Sequence, residues 1–491
     1  MSRRPALTAL AALLLCLPMA ARAELPEPVS RAMAAAGMPS DSISALVLRG
    51  NTAVLSHLAE RPMNPASTMK LVTTMVALEQ LGPTFRGRTE LRSTAPLADG
   101  VLKGDLILRG GADIDFSGEV LERMLRALRN QGVNKIAGNF VLDRSLFNPP
   151  RNDIGVPPFD EYGDAYYNVI PDALLVNKNM LQIELRSTAR HLQLAIEPAL
   201  DKLELSADMT LIDADCAAWE AGWKAPEIVR DKVPHPGGKM KLVLKGTFPK
   251  NCARTNSINV LDRNDYLDRL FRITWKQVGG TFAGETVEGR TPQDARLLAE
   301  HASRALPELV RDTNKLSDNA LARTLFLSLG SVQGDPLLGS RPIPYADTET
   351  TFVRADQAVR VWLRNHGIDD TGLVLENGSG LSRLERISPL QLASLLQAGQ
   401  RSLWAPELQA SMPIVGLDGT MRRRLPNSPA ALRSRMKTGT LNGVAAVAGY
   451  VTDASGQQCV VVAMLNNEFV SGGRGTAVLD ALVDWVARSG G

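Results

Sequence analysis

The chain has 491 residues, of which 44% are hydrophobic and 22% are charged. This composition is typical of a folded protein and excludes extensive disorder, and the length suffices for roughly two to four domains. The formal net charge of +3 at pH 7 gives no electrostatic reason to expect binding to nucleic acid or to an anionic membrane surface.

The N-terminal residues have the pattern of a secretory signal peptide. A pair of arginines precedes the apolar run 9–17, and Ala21-Arg22-Ala23 offers the small residues that a signal peptidase reads. We therefore expect residues 1–23 to be removed and the mature chain, with no formal net charge, to begin near Glu24 in the periplasm. No later segment has the roughly 18 apolar residues that a membrane helix needs, so no transmembrane segment is predicted.

Cysteine and histidine usage adds two expectations. Cys216 and Cys252 lie in loop-like sequence, and in an oxidising compartment they are predicted to form a disulfide. Cys459 begins an apolar run and is predicted to be a buried strand thiol. The five histidines form neither H-E-x-x-H nor a cluster with cysteine, so we expect no metal site.

The first third of the chain changes character near residue 86. A helix is predicted over 26–36, then a hairpin of two strands over 42–48 and 52–58, then a helix over 69–81 that stops at Gly82-Pro83. From 86 to 290 short strands and Gly-rich turns dominate, with one helix over 117–131.

Beyond residue 291 helices and then strands are predicted. The helices cover 292–305, 316–329, 355–365, 389–399 and 477–487, and the strands cover 432–438, 444–451 and 459–465. Helices and an antiparallel sheet at both ends of the chain indicate an α+β domain that is split by an insertion. We therefore divide the chain into a signal peptide (1–23), two parts of one domain (24–85 and 291–491) and one or two inserted β-rich modules (86–290).

Ser67 and Lys70 form the first candidate catalytic motif. Positions i and i+3 share a face at a helix start, so the hydroxyl and the amine can meet there. A serine hydroxyl needs a neighbour to take its proton, and a desolvated lysine can have a pKa low enough to do so. Alone, S-x-x-K is a weak signal, because an N-cap serine followed by a surface lysine gives the same pattern. A second S-x-x-K, Ser434 to Lys437, lies in strand-like sequence, where the two side chains would not face each other.

Ser317-Asp318-Asn319 forms the second candidate motif. A serine and an asparagine two residues apart in a turn can direct a hydroxyl and an amide into one cleft, where the hydroxyl can relay a proton and the amide can hold a lysine and a substrate carbonyl. In isolation the same three residues would be interpreted as a helix cap.

Lys437-Thr438-Gly439-Thr440, at the end of a predicted strand, forms the third motif. The lysine and threonine side chains can bind a carboxylate, the glycine leaves room for a substrate backbone, and the Thr440 N–H can complete an oxyanion hole with that of Ser67. Alone, this stretch would be an edge strand protected by a lysine.

Together the three motifs are specific, because S-x-x-K, S-D-N and K-T-G occur in this order in penicillin-binding proteins and class A β-lactamases. The chain resembles the D-alanyl-D-alanine carboxypeptidase/endopeptidase family of class C, low-molecular-mass penicillin-binding proteins. The long insertion between Ser67 and Ser317 supports the resemblance. So does the stretch Glu376-Asn377-Gly378-Ser379-Gly380-Leu381-Ser382-Arg383, although Asn377 stands where the family usually has aspartate.

The resemblance implies a β-lactamase/transpeptidase-like α+β fold and a serine enzyme that cuts peptidoglycan peptides through an acyl-enzyme. By this resemblance Ser67 would be the nucleophile and Lys70 the proton acceptor. Ser317 and Asn319 would assist proton transfer, and Lys437 and Thr438 would bind the terminal carboxylate of the substrate or of a β-lactam inhibitor. No cofactor is implied.

Two other functions stay open at this point. An exported β-lactamase or esterase would share the three motifs, although the sequence offers no clear deacylating glutamate after Ser67. A cell-wall binding protein without catalysis would not need them. Ser379 lacks the G-x-S-x-G spacing of an esterase nucleophile, and His366 before Gly367 is predicted to cap a helix end.

Overall fold

The computed structural model describes residues 24–233, 238–344 and 348–490, so the predicted signal peptide lies outside the described residues. The helices are α1 Glu27–Ala35, α2 Lys70–Gln80, α3 Gly118–Asn130, α4 Arg263–Gln277, α5 Leu306–Lys315, α6 Asn319–Leu329, α7 Thr351–Asn365, α8 Pro389–Arg401, α9 Ala405–Ser411 and α10 Arg474–Arg488. No helix within these ranges is long and apolar enough to cross a membrane.

The strands fall into three groups along the chain. The first group is β1 Ile43–Arg49 and β2 Thr52–His57. The second group runs through the middle of the chain: β3 Arg88–Ser93, β4 Leu97–Ala98, β5 Val101–Leu102, β6 Leu106–Gly111, β7 Lys135–Ile136, β8 Phe140–Asp143, β9 Leu181–Ser187, β10 Leu192–Glu197, β11 Leu203–Ile212, β12 Trp223–Arg230, β13 Met240–Pro249, β14 Ala253–Ile258, β15 Thr281–Phe282, β16 Thr286–Glu288 and β17 Arg296–Ala302. The third group is β18 Val332–Asp335, β19 Gly339–Pro342, β20 Arg435–Leu441, β21 Val444–Thr452 and β22 Gln458–Asn466.

The central sheet joins the two ends of the chain. Its strand order is β2-β1-β22-β21-β20, and every pairing is antiparallel. Alternate residues of β22 enter two different cores: Val460, Val462 and Met464 pack with α2 and α8, whereas Val461 and Ala463 pack with α1 and α10. Because both faces are covered, β21 and β22 are apolar along nearly their whole length.

The middle group of strands has a core of its own. It forms small mixed sheets, including β16-β8-β6-β3-β17 and β11-β13-β12, with α3 and α4 packed against them. Phe140 and Phe271 stack at a centroid distance of 3.8 Å within this core. A disulfide joins Cys216 to Cys252, which confirms the predicted pair, and Cys459 is buried in β22 as predicted.

The prediction of a helix over 292–305 is wrong. Residues Arg296–Ala302 form β17, which pairs antiparallel with β3 and extends a sheet of the middle group. Leucine and alanine favour a helix locally, but pairing with a strand about 200 residues earlier overrides that preference. The next helix was missed: α5 begins at Leu306, with a proline in its first turn, and ends before Ser317.

Candidate active site

The first motif lies where a short 3-10 turn, Ala66–Met69, runs into α2. One turn separates Ser67 from Lys70, and the Lys70 Nζ donates to the Ser67 Oγ at 3.0 Å. Ser67 is half-buried, whereas Lys70 is fully buried in the first turn of α2. The hydroxyl is therefore reachable from outside while its amine partner is shielded from water.

The Gly-rich loop, residues 377–382, fixes this turn from one side. Ala66 has a φ of +44°, and its N–H donates to the Asn64 Oδ1 at 2.9 Å. Asn64 in turn donates to the Ser382 carbonyl at 2.9 Å. A Cβ on Gly380 would lie 1.8 Å from the Ala66 carbonyl oxygen, so only glycine allows the loop to pack this closely.

The same loop contacts the lysine directly. The Lys70 Nζ donates to the Ser379 carbonyl at 2.5 Å. The sequence suggested a role for Ser379 only as a candidate nucleophile, and the contact of its carbonyl with Lys70 was not predicted. The glycines at 378 and 380, both with positive φ, were the available signal for a closely packed backbone.

The second motif lies between α5 and α6. Ser317 has a φ of +59°, and this sharp turn starts α6 at Asn319. The Asn319 Oδ1 accepts from the Lys70 Nζ at 2.7 Å, and its Nδ2 donates to the Tyr167 carbonyl at 3.2 Å. Asp318 caps α6 by accepting from the Leu321 N–H at 2.9 Å.

The third motif lies on β20, the outermost strand of the central sheet. The Lys437 Nζ donates to the Ser317 Oγ and to the Thr438 carbonyl, both at 2.9 Å. A Cβ on Gly439 would lie 2.9 Å from the Ser67 backbone nitrogen, so β20 passes directly beside the first motif. Thr440 is exposed next to it. Hydrogen bonds and close backbone contacts thus bring all three predicted motifs together.

Burial lowers the pKa of both lysines. Burial is the largest effect on Lys70 and lowers its pKa to about 7. The charges of Glu385 and Asp318 raise this pKa, and the charge of Arg323 lowers it. Burial and the charge of Lys70 put the pKa of Lys437 well below its usual value. An amine with a pKa near neutrality is half in the basic form at physiological pH.

Two buried charged residues behind Lys70 were not predicted from the sequence. The Glu385 Oε1 accepts from the N–H groups of Glu376, Asn377 and Gly378 at 2.8–3.2 Å, and burial raises the pKa of this carboxyl. Arg323 on α6 donates to the Val169 carbonyl at 2.9 Å, and burial lowers its pKa to about 10. Glu385 therefore organises the Gly-rich loop by accepting its backbone N–H groups.

The two alternative serine assignments do not lead to a second nucleophile. The Ser434 Oγ accepts from the Thr452 N–H at 3.4 Å, and Lys437 points instead to Ser317, which confirms that this second S-x-x-K does not form a pair. The Ser379 Oγ donates to the Asn377 Oδ1 at 2.5 Å. His366 ends α7 and stacks on Trp362, as a helix-end residue would.

A half-buried hydroxyl, a buried amine of low pKa and a glycine-containing edge strand are the parts that a serine acyl-transfer site of the penicillin-binding class needs. Residues 40–489 match the D-Ala-D-Ala carboxypeptidase 3 (S13) family, and the chain belongs to this family. It is thus a serine-type D-Ala-D-Ala carboxypeptidase by family, and the resemblance inferred from the motifs is confirmed.

Curated relatives and solved structures agree with this assignment. The chain is 28% identical over 410 residues to D-alanyl-D-alanine carboxypeptidase DacB of Haemophilus influenzae, covering 82% of this chain and 80% of the relative. It is 29% identical over 443 residues to D-alanyl-D-alanine carboxypeptidase of an Actinomadura species, covering 87% and 77%. The structure of penicillin binding protein 4 (dacB) from Haemophilus influenzae superposes with a TM-score of 0.74 at 24% identity, covering 94% of this chain and 99% of that one. The predicted α+β, transpeptidase-like fold is confirmed.

Proposed function

We propose that the chain hydrolyses the terminal D-alanyl-D-alanine bond of peptidoglycan stem peptides, and D-alanyl cross-links between them, through an acyl-enzyme on Ser67. The observation that carries the proposal is the 3.0 Å contact between the Ser67 Oγ and a buried amine whose pKa is about 7. Both reactions need the same D-alanyl acyl group, and they differ only in whether the leaving amine belongs to free D-alanine or to a neighbouring peptide.

In this mechanism the neutral Lys70 amine takes the Ser67 proton while the Oγ attacks the carbonyl carbon of the penultimate D-alanine. The carbonyl oxygen becomes an oxyanion, which the N–H groups of Ser67 and Thr440 stabilise. The C–N bond then breaks, and the proton passes to the leaving amine from Lys70 or through the chain of Lys437 and Ser317. Water attacks the resulting ester, the proton transfers run in reverse, and Ser67 is regenerated.

The outer edge of β20 is where we expect the substrate backbone. Neighbouring strand β21 occupies one edge of β20, and residues 413–415 contact the start of the other edge at Arg435 and Met436. An extended peptide can therefore add to the outer edge further along β20, beside Ser67. The terminal carboxylate would lie against Lys437 and Thr438. Because Lys437 is buried with a low pKa, an arriving carboxylate would favour its charged form and couple substrate binding to proton uptake.

We propose that β-lactams acylate the same serine and stay bound. The solved structure of penicillin binding protein 4 (dacB) from Haemophilus influenzae in complex with a novel β-lactam, with a TM-score of 0.69, supports a cleft of suitable shape in this fold. The Glu385 Oε1 accepts three backbone N–H groups, and the side chain is fully buried, which does not favour this carboxyl as a base that activates water.

Labelling with a fluorescent penicillin tests the proposal. A stable label is expected on the wild type and none on Ser67→Ala, whereas Ser434→Ala, the matched control in the second S-x-x-K, should label normally. Fast turnover of the label would indicate a β-lactamase, and absence of label would indicate a binding protein. Release of D-alanine from uncross-linked and of monomers from cross-linked muropeptides then measures the two activities.

Export to the periplasm, with cleavage of residues 1–23, is part of the proposal. The Cys216–Cys252 disulfide supports it, because such bonds persist in oxidising compartments. Mass spectrometry of the protein from a periplasmic extract should find an N-terminus near Glu24.

The proposed division of the chain keeps residues 24–85 as the first part of the penicillin-binding domain. Because β17 pairs with β3, we place the end of the insertion after residue 302 rather than at 290. The second part of the penicillin-binding domain then begins with α5.

A further inference from the structure

One cavity of the described residues lies away from the three motifs. Its volume is about 440 Å³, and it opens between the sheet of β3, β6 and β17 and the β18–β19 hairpin. None of the motif residues lines it. Its volume falls in the range of roughly 300–1,000 Å³ that is usual for small-molecule sites, and such sites favour junctions between structural units.

The charges on its floor follow from the strand register. Arg88, Glu90 and Arg92 alternate along β3, so their side chains share one face, while Leu91 between them enters the opposite core. Arg109 on β6 is the direct partner of Glu90 across the ladder. Three guanidinium groups therefore surround one buried carboxylate.

These charges do not balance within the cavity. Arg92 is the closest partner of Glu90, at 2.6 Å, and Arg88 also pairs with Glu300. Within the described ranges Arg109 has one ion pair, a 3.5 Å contact with the Glu90 Oε2 that also pairs with Arg92. The Arg109 side chain is 38% exposed. Arg109 thus offers a positive charge that Glu90 does not fully compensate.

The remaining walls are largely apolar. They include Leu146, Leu297, Val332 and Leu338, and Arg341 at the rim is paired with Asp335. An ion-pair lattice that only stabilises the sheet would need neither an open volume nor an apolar wall. Guanidinium groups bind carboxylate and phosphate oxygens in a bidentate manner.

We infer that this cavity is a binding site for a small organic anion, with a carboxylate or phosphate group held by Arg109 and Arg88 and an apolar body against the leucines. Binding of the anion would replace the long Arg109–Glu90 contact and leave Glu90 paired with Arg92. The inference is independent of the reaction proposed for Ser67.

Titration with phenyl phosphate, phenylacetate and neutral phenylacetamide tests it, on mature protein whose active site has been blocked by penicillin. We expect at least one of the two anions to bind with a Kd below about 1 mM and at least about tenfold more tightly than the amide. Preference between the two anions distinguishes a phosphate ester from a carboxylate as the natural ligand chemistry.

Arg109→Gln should weaken anion binding by about tenfold or more, whereas Arg126→Gln should not change it. Arg126 is the matched control because it is an exposed arginine on α3 with a single Glu122 partner. Arg109→Lys keeps the positive charge but lacks the planar guanidinium group, so it should bind the anion with intermediate affinity. This variant keeps the inference testable if Arg109→Gln folds poorly. Absence of binding by both anions, or equal binding by wild type and Arg109→Gln, would overturn the inference.

Discussion

The pH dependence of acylation is the sharpest test of Lys70 as the proton acceptor. With a pKa of about 7, about half of the Lys70 amine is neutral at pH 7, about a tenth at pH 6 and about a hundredth at pH 5. The rate of acylation by a fluorescent penicillin should fall in these proportions below neutrality and level off above about pH 8.

Two substitutions beside Lys70 should move this profile in opposite directions. Asp318 raises the pKa of Lys70, and the Lys178 Nζ lies 2.5 Å from the Asp318 Oδ2 and neutralises it. In Asp318→Asn the carboxylate is lost but the side chain can still cap α6, so the pKa of Lys70 should fall. In Lys178→Met the carboxylate becomes unpaired, so the pKa should rise.

The size of the shift follows from Coulomb's law. A unit charge roughly 8 Å from an amine contributes about 2 kcal/mol at an effective dielectric constant near 20, or about 1.5 pKa units. The Lys178 side chain is 39% exposed, and water screens its effect, so we expect about half a unit to one unit in each direction.

Single-turnover acylation between pH 5 and 9 measures the profiles, and Lys178→Arg serves as the charge-conserving control with an unshifted profile. If Asp318→Asn and Lys178→Met shifted the profile in the same direction, or changed the rate equally at every pH, the electrostatic reasoning would be refuted. A profile of the wild type that is flat from pH 5 to 8 would remove Lys70 from the role of base.

Three further substitutions give separable outcomes. Gly439→Ala places a Cβ 2.7 Å from the Pro65 carbonyl and 2.9 Å from the Ser67 nitrogen, so acylation should slow by about tenfold or more, measured beside Tm. Asn319→Ala removes the amide that holds both Lys70 and the Tyr167 carbonyl, and acylation should fall by about a hundredfold while fluorescence-detected folding persists. Cys216→Ser removes the disulfide that closes a loop of sequence separation 36, so the free energy of unfolding should fall by about 3–4 kcal/mol. The Tm should be lower and no longer change with dithiothreitol, while acylation at 25 °C should be unchanged.

Local patterns predicted the parts of the site that depend on short-range geometry. Ser67 and Lys70 meet because three residues make one turn, and β20 to β22 carry the apolar patterns of successive antiparallel strands. The convergence of the motifs was inferred from a resemblance, since nothing in the spacing of Ser67 and Lys437 by itself requires them to be neighbours.

Contacts between distant residues that lie in no motif could not be predicted. The charge of Glu385 raises the pKa of Lys70 and that of Arg323 lowers it, and neither residue lies in a recognisable motif. The prediction of a helix over 292–305 was wrong for a related reason. The leucines and alanines of this segment are compatible with a helix, and only pairing with β3 makes it a strand.

Contacts at α6 connect the insertion to the proposed catalytic residues. Three contacts from the insertion reach this one helix: Lys178 pairs with Asp318, the Tyr167 carbonyl accepts from Asn319, and the Val169 carbonyl accepts from Arg323. Asn319 is also the side chain that holds the Lys70 amine at 2.7 Å. A displacement of the 167–178 segment would therefore move Asn319 and change both the orientation and the electrostatic surroundings of Lys70. We therefore expect the insertion to act on the chemistry proposed at Ser67 through α6, against which Val169 and Leu175 of the insertion also pack.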